Sequence, residues 1–328
     1  MMYDIEKYYN AQTVDEAIEL LDTHKEARII AGGSDVLIRI REGKMAGCTL
    51  VGIRDIKEIQ GVSLRENGDI YIGAATSFSH ITANPVVQKY IPVLGNAVNQ
   101  VGGPQVRNIG TIGGNICNGA VSADSAPTVF SLGGKVRIVS REGVRLADVE
   151  DFYAGPGRVR LNSGDLVTHI VIPKENYVGC SGHYIKYSMR NAMDIATLGC
   201  SVVVKAREVS PEKRIIEDIR ITFGVAAPVP YRCKVTEEKI KGRKVDEVLL
   251  TLIENSVREE INPRDSWRAS KAFRLQIAGE IARRALIRAL ETPTAPDPAE
   301  DAGDCTKVPK RPASDRTQMS DNGGVEHE

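Results

Sequence analysis

The sequence predicts an α+β protein of two domains, and three observations carry that prediction. Short β-prone runs end in glycine turns through the first half, composition shifts at residues 173–182, and the second half places its strands before its helices. A chain of 328 residues exceeds one ordinary core. With 42% apolar and 26% charged residues, it falls in the class of soluble folded proteins.

The elements follow in order. In "TVDEAIELLDTHKEA", Thr13 and Glu16 have capping-box spacing, and Val14, Ala17, Ile18 and Leu21 repeat at helical period, which predicts a helix over 14–24. Ile29 and Ile30 form a strand that breaks at Gly32 and Gly33. "TLVGI" is a second strand, and "GVSLRENGDIYIGAAT" reads as two strands joined at Asn67 and Gly68. Residues 77–100 turn helical, with Ser77 and Asn84 as caps and Pro85 at a first helical position. A short helix from Pro127, the strand "KVRIVS", a turn at Glu142 and Gly143, and the strand "LVTHIVIP" complete the first domain.

"PKENYVGCSGH" is the expected linker. Beyond it, "HYIKYSM", "ATLGCSVVVKA" and "IIEDIRITFGVA" read as strands, and two helices over about 245–261 and 267–290 close the domain. The second helix carries an apolar stripe, Phe273, Leu275, Ile277, Ile281, Leu286 and Leu290, which suits packing within the domain or a partner. Trp267, the only tryptophan, either holds a partner or pins that helix start. From Glu291 the chain is rich in Pro, Asp, Glu and Ser, and a disordered tail over 291–328 is expected.

Composition excludes several function classes. Lys plus Arg equals Asp plus Glu at 43 each, so no global field draws nucleic acid or an anionic bilayer. "MMYDIEKYYN" reads as neither a signal peptide nor a membrane span, and a cytoplasmic protein is expected. Cysteines 48, 117, 180, 200, 233 and 305 have no CxxC pair, which fits neither a disulfide framework nor a metal cluster. The five histidines are scattered without HExxH, and there is no GxSxG, so no metal site and no catalytic acid/base pair is assigned.

Two Gly-Gly segments stand out: "AGGSDV" at 31–36 and "TIGGN" at 111–115. Each follows an apolar run and carries a hydroxyl residue, Ser34 or Thr111. Glycine permits left-handed backbone and close approach of a ligand to amide N–H groups, so such loops suit a pyrophosphate as well as an ordinary tight turn. Neither GxxxxGK[ST] nor a helix-opening GxGxxG is present, so a dinucleotide here would use a scaffold other than a P-loop or a Rossmann unit.

"RIIAGGSDVLIRIREGK", "GGPQVRNIGTIGGNICNGAVSADSAP" and "YIKYSMRNAMDIATLGC" together resemble the FAD-binding subunit of molybdenum hydroxylases, most closely that of bacterial xanthine dehydrogenases. The resemblance covers roughly residues 2–290. It implies a PCMH-type FAD-binding domain over 1–176, with subdomains of about 1–57 and 58–176, and a smaller α+β C-terminal domain over 180–290. Carried over, Arg28, Ile29, Ile30, Ala31, Gly32, Gly33, Ser34 and Asp35, with Gly110, Thr111, Ile112, Gly113 and Gly114, would wrap the pyrophosphate and ribityl chain. Asn115 and Asp124 would add side-chain hydrogen bonds, while Leu166, Ile185 and Lys186 match positions that approach the flavin or nucleotide. Asp124 also suits a helix N-cap, and Lys186 a solvated strand position.

Arg190 and Asp194 match a charged loop near the flavin in relatives, where Met193 replaces a second acidic residue of some animal members. The resemblance implies a role in purine metabolism: a partner subunit with the molybdenum cofactor hydroxylates substrate, a [2Fe-2S] subunit relays electrons, and the flavin passes them to NAD+ as hydride. The absence of an inserted cysteine cluster argues against the branch that reduces aromatic acyl-CoA esters. A carbon monoxide dehydrogenase flavoprotein and a flavin-free assembly scaffold remain as alternatives.

Overall fold

The computed structural model describes residues 3–210 and 213–301. The chain opens as an alternating unit: β1 (Ile5–Asn10), α1 (Val14–Thr23), β2 (Arg28–Ile30), α2 (Val36–Arg41) and β3 (Cys48–Gly52). Its strands pair in parallel in the order β1-β3-β2. The Thr13 hydroxyl caps α1 by accepting the Glu16 N–H at 3.1 Å. Glu16 reaches back to the N–H of Gln12 at 2.7 Å, one residue beyond the box that the spacing predicts. Ala17, Ile18 and Leu21 point inward onto Val51, Ile53 and Ile56.

The middle unit contains β4 (Val62–Leu64), β5 (Ile70–Gly73), α3 (Phe78–Ala83), α4 (Pro85–Tyr90), α5 (Pro92–Val98), α6 (Pro104–Ile109), α7 (Ile112–Cys117) and α8 (Ser125–Ser131). There follow β6 (Lys135–Ser140), β7 (Gly143–Asp148), α9 (Val149–Phe152), β8 (Tyr153–Gly155), β9 (Arg158–Val159) and β10 (Leu166–Ile172). Five of these strands form an antiparallel sheet in the order β4-β5-β10-β6-β7, while β8 and β9 make a small ribbon. Alternation puts Ile70, Ile72, Val136, Ile138 and Ile170 on its inner face against the helices. Ser77 and Asn84 cap α3 and α4, with Pro85 at the start of α4.

The last unit comprises β11 (Ser181–Tyr187), β12 (Leu198–Ser210), β13 (Lys213–Gly224), β14 (Tyr231–Arg232), α10 (Lys234–Ile240), α11 (Glu247–Glu260) and α12 (Lys271–Glu291). Its four strands pair antiparallel in sequence order. One face takes α11 and α12, and the other packs on α5 and α8 of the middle unit. Burial on both faces explains why β12 is buried at every position over 198–204, mostly with apolar residues, whereas its far end emerges into solvent. Between the layers, the Ser131 and Ser201 hydroxyls share a buried hydrogen bond of 2.7 Å. The brevity of β14 and α10 hid both from periodicity.

Three expectations need correction. "TIGGN" is not a loop but the start of α7, with Thr111 as its cap. The helix expected at Pro127 begins at Ser125. The segment just after Glu291, expected to be disordered, is packed against the body: Ala295 bridges Val178, exchanging backbone hydrogen bonds of 2.8 Å with Gly179 and Cys180, and Asp297 pairs with Lys174 at 2.7 Å. Residues 302–328 lie outside the described residues. The described residues up to Asp297 form one body, and the short helix α13 (Pro298–Asp301) comes after it in sequence.

The expected linker is a packed segment. Tyr177 is buried, its ring set edge-on against Tyr90, and its hydroxyl donates to the Gly68 carbonyl at 2.5 Å. Tyr177→Phe would leave that buried carbonyl unpaired, at a cost of about 1–3 kcal/mol. The expected outcome is a lower urea midpoint with an unchanged slope. An unaltered midpoint would show that the segment is a passive tether.

Candidate flavin site

A cleft of about 1070 Å³ lies where the parallel unit meets the middle unit, at the large end of small-molecule sites. It opens at the carboxyl end of β2, the position that open parallel sheets reserve for ligands. Residues 28–35 line it, apart from Ile30, and so do residues 110–115, apart from Ile112, together with Leu166. Ile112 is fully buried in the central core, and Ile30 packs behind Gly33.

The two glycine motifs serve different physical ends. A Cβ on Gly32 would lie 2.1 Å from the Ile109 carbonyl oxygen, so glycine lets the two motif-bearing segments touch backbone to backbone. In "TIGGN" the amides are already engaged: Ile112 N–H donates to Thr76 O, Gly113 N–H to Ala74 O, and Gly114 N–H to the Thr111 hydroxyl. Gly113 sits so close to Ala74 that a Cβ would come within 2.6 Å of its Cβ. By contrast, the N–H groups of Gly32, Gly33, Ser34 and Asp35 have no acceptor among the described residues. Unpaired amides on residues that line a cleft are available to an anionic oxygen.

Side chains reinforce that field. Lys25, Arg28, Arg39 and Lys44 stand on the wall, and neither Arg28 nor Arg39 has an ion-pair partner among the described residues. Of the two lining carboxylates, Asp165 is bound to Arg145, with one contact of 2.8 Å, and accepts the Asn162 N–H at 2.6 Å. Burial acts to raise the Asp165 pKa, but the Arg145 and Asn162 hydrogen bonds outweigh it and hold the carboxyl below the usual range. The Asn115 Oδ1 accepts from Ser125 at 2.6 Å, and its Nδ2 has no acceptor among the described residues. Burial pushes the Cys117 thiol up to about 12, so this lining cysteine is no nucleophile at neutral pH.

Asp124, Ile185 and Lys186 do not line the cleft. Asp124 occupies the N-cap position of α8 without capping it. Instead its carboxylate accepts the Tyr184 hydroxyl and the Lys186 ammonium, each at 2.8 Å, with both charged side chains under a tenth exposed. Lys186 also donates to the Gln100 carbonyl at 2.9 Å. Burial raises the Asp124 pKa, against the pull of Lys186 and Tyr184. Ile185 packs against the C-terminal core. Arg190 and Asp194 close their own loop, Asp194 accepting the Arg190 N–H at 3.0 Å and the Ile195 N–H at 2.8 Å, while Ile195 reaches the cleft.

Sequence reasoning missed Arg39, Phe78, Val106 and the turn at 162–165 on the wall. Arg39 lies one helical turn after Asp35, a spacing that was readable. Nothing local marks Phe78 or Val106, whose place depends on how the helices pack.

A flavin adenine dinucleotide is a chemical fit to this cleft. The unpaired amides and cationic wall match a pyrophosphate, and Gly114 keeps a side chain off the cleft wall, where a Cβ would also press on the Thr111 hydroxyl at 3.0 Å.

Comparison with known proteins agrees. Residues 3–175 match the FAD-binding domain in molybdopterin dehydrogenase, and residues 183–289 match the CO dehydrogenase flavoprotein C-terminal domain. The chain belongs to the family of FAD-binding subunits of molybdenum hydroxylases. It is 36% identical over 289 residues to the putative xanthine dehydrogenase FAD-binding subunit XdhB of Escherichia coli K12, covering 88% of this chain and 97% of that one. It is 26% identical to the carbon monoxide dehydrogenase medium chain of Hydrogenophaga pseudoflava, over 85% of this chain and 95% of that one. The solved carbon monoxide dehydrogenase structure from that organism superimposes with a TM-score of 0.82 at 25% identity, covering 89% of this chain and 99% of that one. FAD is therefore the cofactor of this oxidoreductase subunit.

Two outcomes test the site. Gly32→Ala should both lower thermal stability and reduce flavin retention, because the new methyl separates the two segments; unchanged melting with full flavin would show that they give way freely. Asp165→Asn should cost about 1.5–3 kcal/mol at pH 7. Because the folded pKa is depressed, that contribution is present above the unfolded value near 3.8 and is lost as pH falls through the folded pKa. Urea melts of the two proteins should accordingly converge in strong acid.

Proposed function

We propose that this chain is the electron-transfer subunit of a xanthine dehydrogenase-like molybdenum hydroxylase, taking electrons from [2Fe-2S] clusters of a partner subunit and delivering them from FAD to NAD+. The carrying observation is the cleft itself: unpaired amides at 32–35 beside Arg28 and Arg39, which have no ion-pair partner among the described residues, with the lining Cys117 thiol held protonated by burial. Such a site binds and positions a redox cofactor and leaves substrate hydroxylation to another subunit. Bound FAD supplies the two-electron chemistry. The 36% identity to a xanthine dehydrogenase subunit favours that assembly over a carbon monoxide dehydrogenase or a flavin-free scaffold.

In this reading residues 1–176 form the FAD-binding domain and 180–290 the C-terminal domain. The amides of 32–35 hold the pyrophosphate, with Arg28 and Arg39 supplying charge, and Asn115 Nδ2 donates to the ribityl or nucleotide oxygens. Gly110, Thr111, Gly113 and Gly114 form the wall against which the chain of the cofactor lies. Leu166 and Ile29 cover its apolar parts and exclude water. The Asp124–Lys186 pair lies outside the wall and reaches the cofactor only if the pair opens.

Gly114→Val tests binding. Wild type should carry near-stoichiometric flavin absorption, and the variant should lose it while still melting cooperatively, at a temperature lowered by the press of the new Cβ on the Thr111 hydroxyl that caps α7. With the partner subunits present, xanthine should drive NADH formation by wild type. Flavin absent from wild type even with FAD added would overturn the cofactor role, whereas flavin present with turnover on another substrate alone would reassign the assembly.

A further inference from the structure

The C-terminal domain presents an aromatic knuckle that the flavin site does not use. Residues 266–269 form a tight turn closed by a Ser266–Ala269 bridge, with Trp267 and Arg268 at its tip. Trp267 is 81% exposed, and its ring is stacked under the Arg268 guanidinium at 4.2 Å. The turn is built firmly. Fully buried Arg274 donates to the Thr197 carbonyl at 3.0 Å and to the Ser266 hydroxyl at 2.7 Å, and it also reaches the Arg264 carbonyl.

Through Arg274 the knuckle is tied to the loop that borders the cleft. Thr197 N–H donates to Tyr187 O at 2.8 Å, and the Tyr187 ring packs edge-on against Phe273 at 5.8 Å. The loop that follows Tyr187 exposes Met189 and Met193 and ends at Ile195 on the cleft wall. Large exposed aromatic and methionine side chains beside arginine are the composition of an interface core.

The charge is one-sided. Arg264, Arg268 and Lys271 have no ion-pair partner among the described residues, and the nearby Asp265 accepts the Lys271 N–H at 2.6 Å. Burial, and after it the charge of Arg264, lower the Arg274 pKa, against the opposing charge of Asp265.

Resting on the electron-transfer reading above, we propose that this basic, aromatic surface around Trp267 is where an acidic face of the [2Fe-2S] subunit docks. Electron tunnelling weakens steeply with distance, so the donor must lie against the border of the flavin cleft. Arg274, Thr197 and Tyr187 join this surface to that border, and its cations, without ion-pair partners among the described residues, suit carboxylates opposite them.

The test uses the full chain, with flavin content read from its absorption spectrum, titrated onto the purified [2Fe-2S] subunit of its assembly in an ultracentrifuge. Trp267→Ala and Arg268→Glu, both at exposed or half-exposed positions, should each weaken association at least tenfold without changing flavin content or melting temperature. Added salt should weaken wild type more than Arg268→Glu. Unchanged affinity in both variants overturns the proposal, as does a self-association of the chain alone that Trp267→Ala abolishes, since a second copy would then own the surface. A wild type that binds the partner through Trp267 yet holds no flavin would leave the docking surface standing and remove the flavin reading.

Discussion

The backbone of Gly32 lies against the carbonyl of Ile109, and no side chain can stand between them. On that contact depend the angle between the parallel unit and the middle unit, the width of the cleft, and the direction in which the amides of 32–35 point. It joins the turn after β2 to the end of the short helix α6 more than seventy residues later. The second glycine motif supports it from behind, since Gly113 seats α7 on Ala74 and the Thr76 carbonyl takes the N–H of Ile112. One motif therefore offers hydrogen-bond donors to a ligand, and the other uses its donors to hold the wall in place.

Electrostatics follow the same division of labour. The chain as a whole is neutral, but its cleft is not, because Arg28 and Arg39 have no carboxylate partner among the described residues while Asp165 is neutralised by Arg145. Backbone dipoles and two unpaired guanidiniums suffice for a pyrophosphate without a strongly basic protein. The buried Asp124–Lys186 pair is a separate feature. It joins the N-terminus of α8 to β11 and to the carbonyl after α5, and removing one partner would leave an uncompensated buried charge.

The C-terminal sheet connects these regions. Packed on both faces, it joins the helices of the middle unit to α11 and α12, and its first hairpin carries the loop that ends at the cleft through Ile195. The same region supports the knuckle of Trp267. A single rigid layer thus reaches from the cofactor wall to an exposed, cationic surface, which is a suitable arrangement for a subunit that must hold a cofactor and meet a partner.

The sequence by itself determined the elements whose signals are local. Thr13, Ser77 and Asn84 cap helices because a side-chain oxygen satisfies an amide within a few residues, and the long strands of the last unit declare themselves by apolar runs. The motifs also led to the family, since three matched segments in order carry more information than any one glycine pair. Tertiary structure alone decided how the glycines are used, because the same Gly-Gly is a free-amide loop at 32–33 and a packed helix start at 113–114 according to which carbonyls lie nearby. It likewise decided that Asp124 and Lys186 face each other and that Phe78 and Val106 reach the cleft. Those contacts join residues far apart in the chain, so the energy that selects them comes from packing and from pairing buried polar groups, neither of which leaves a periodic mark in the sequence.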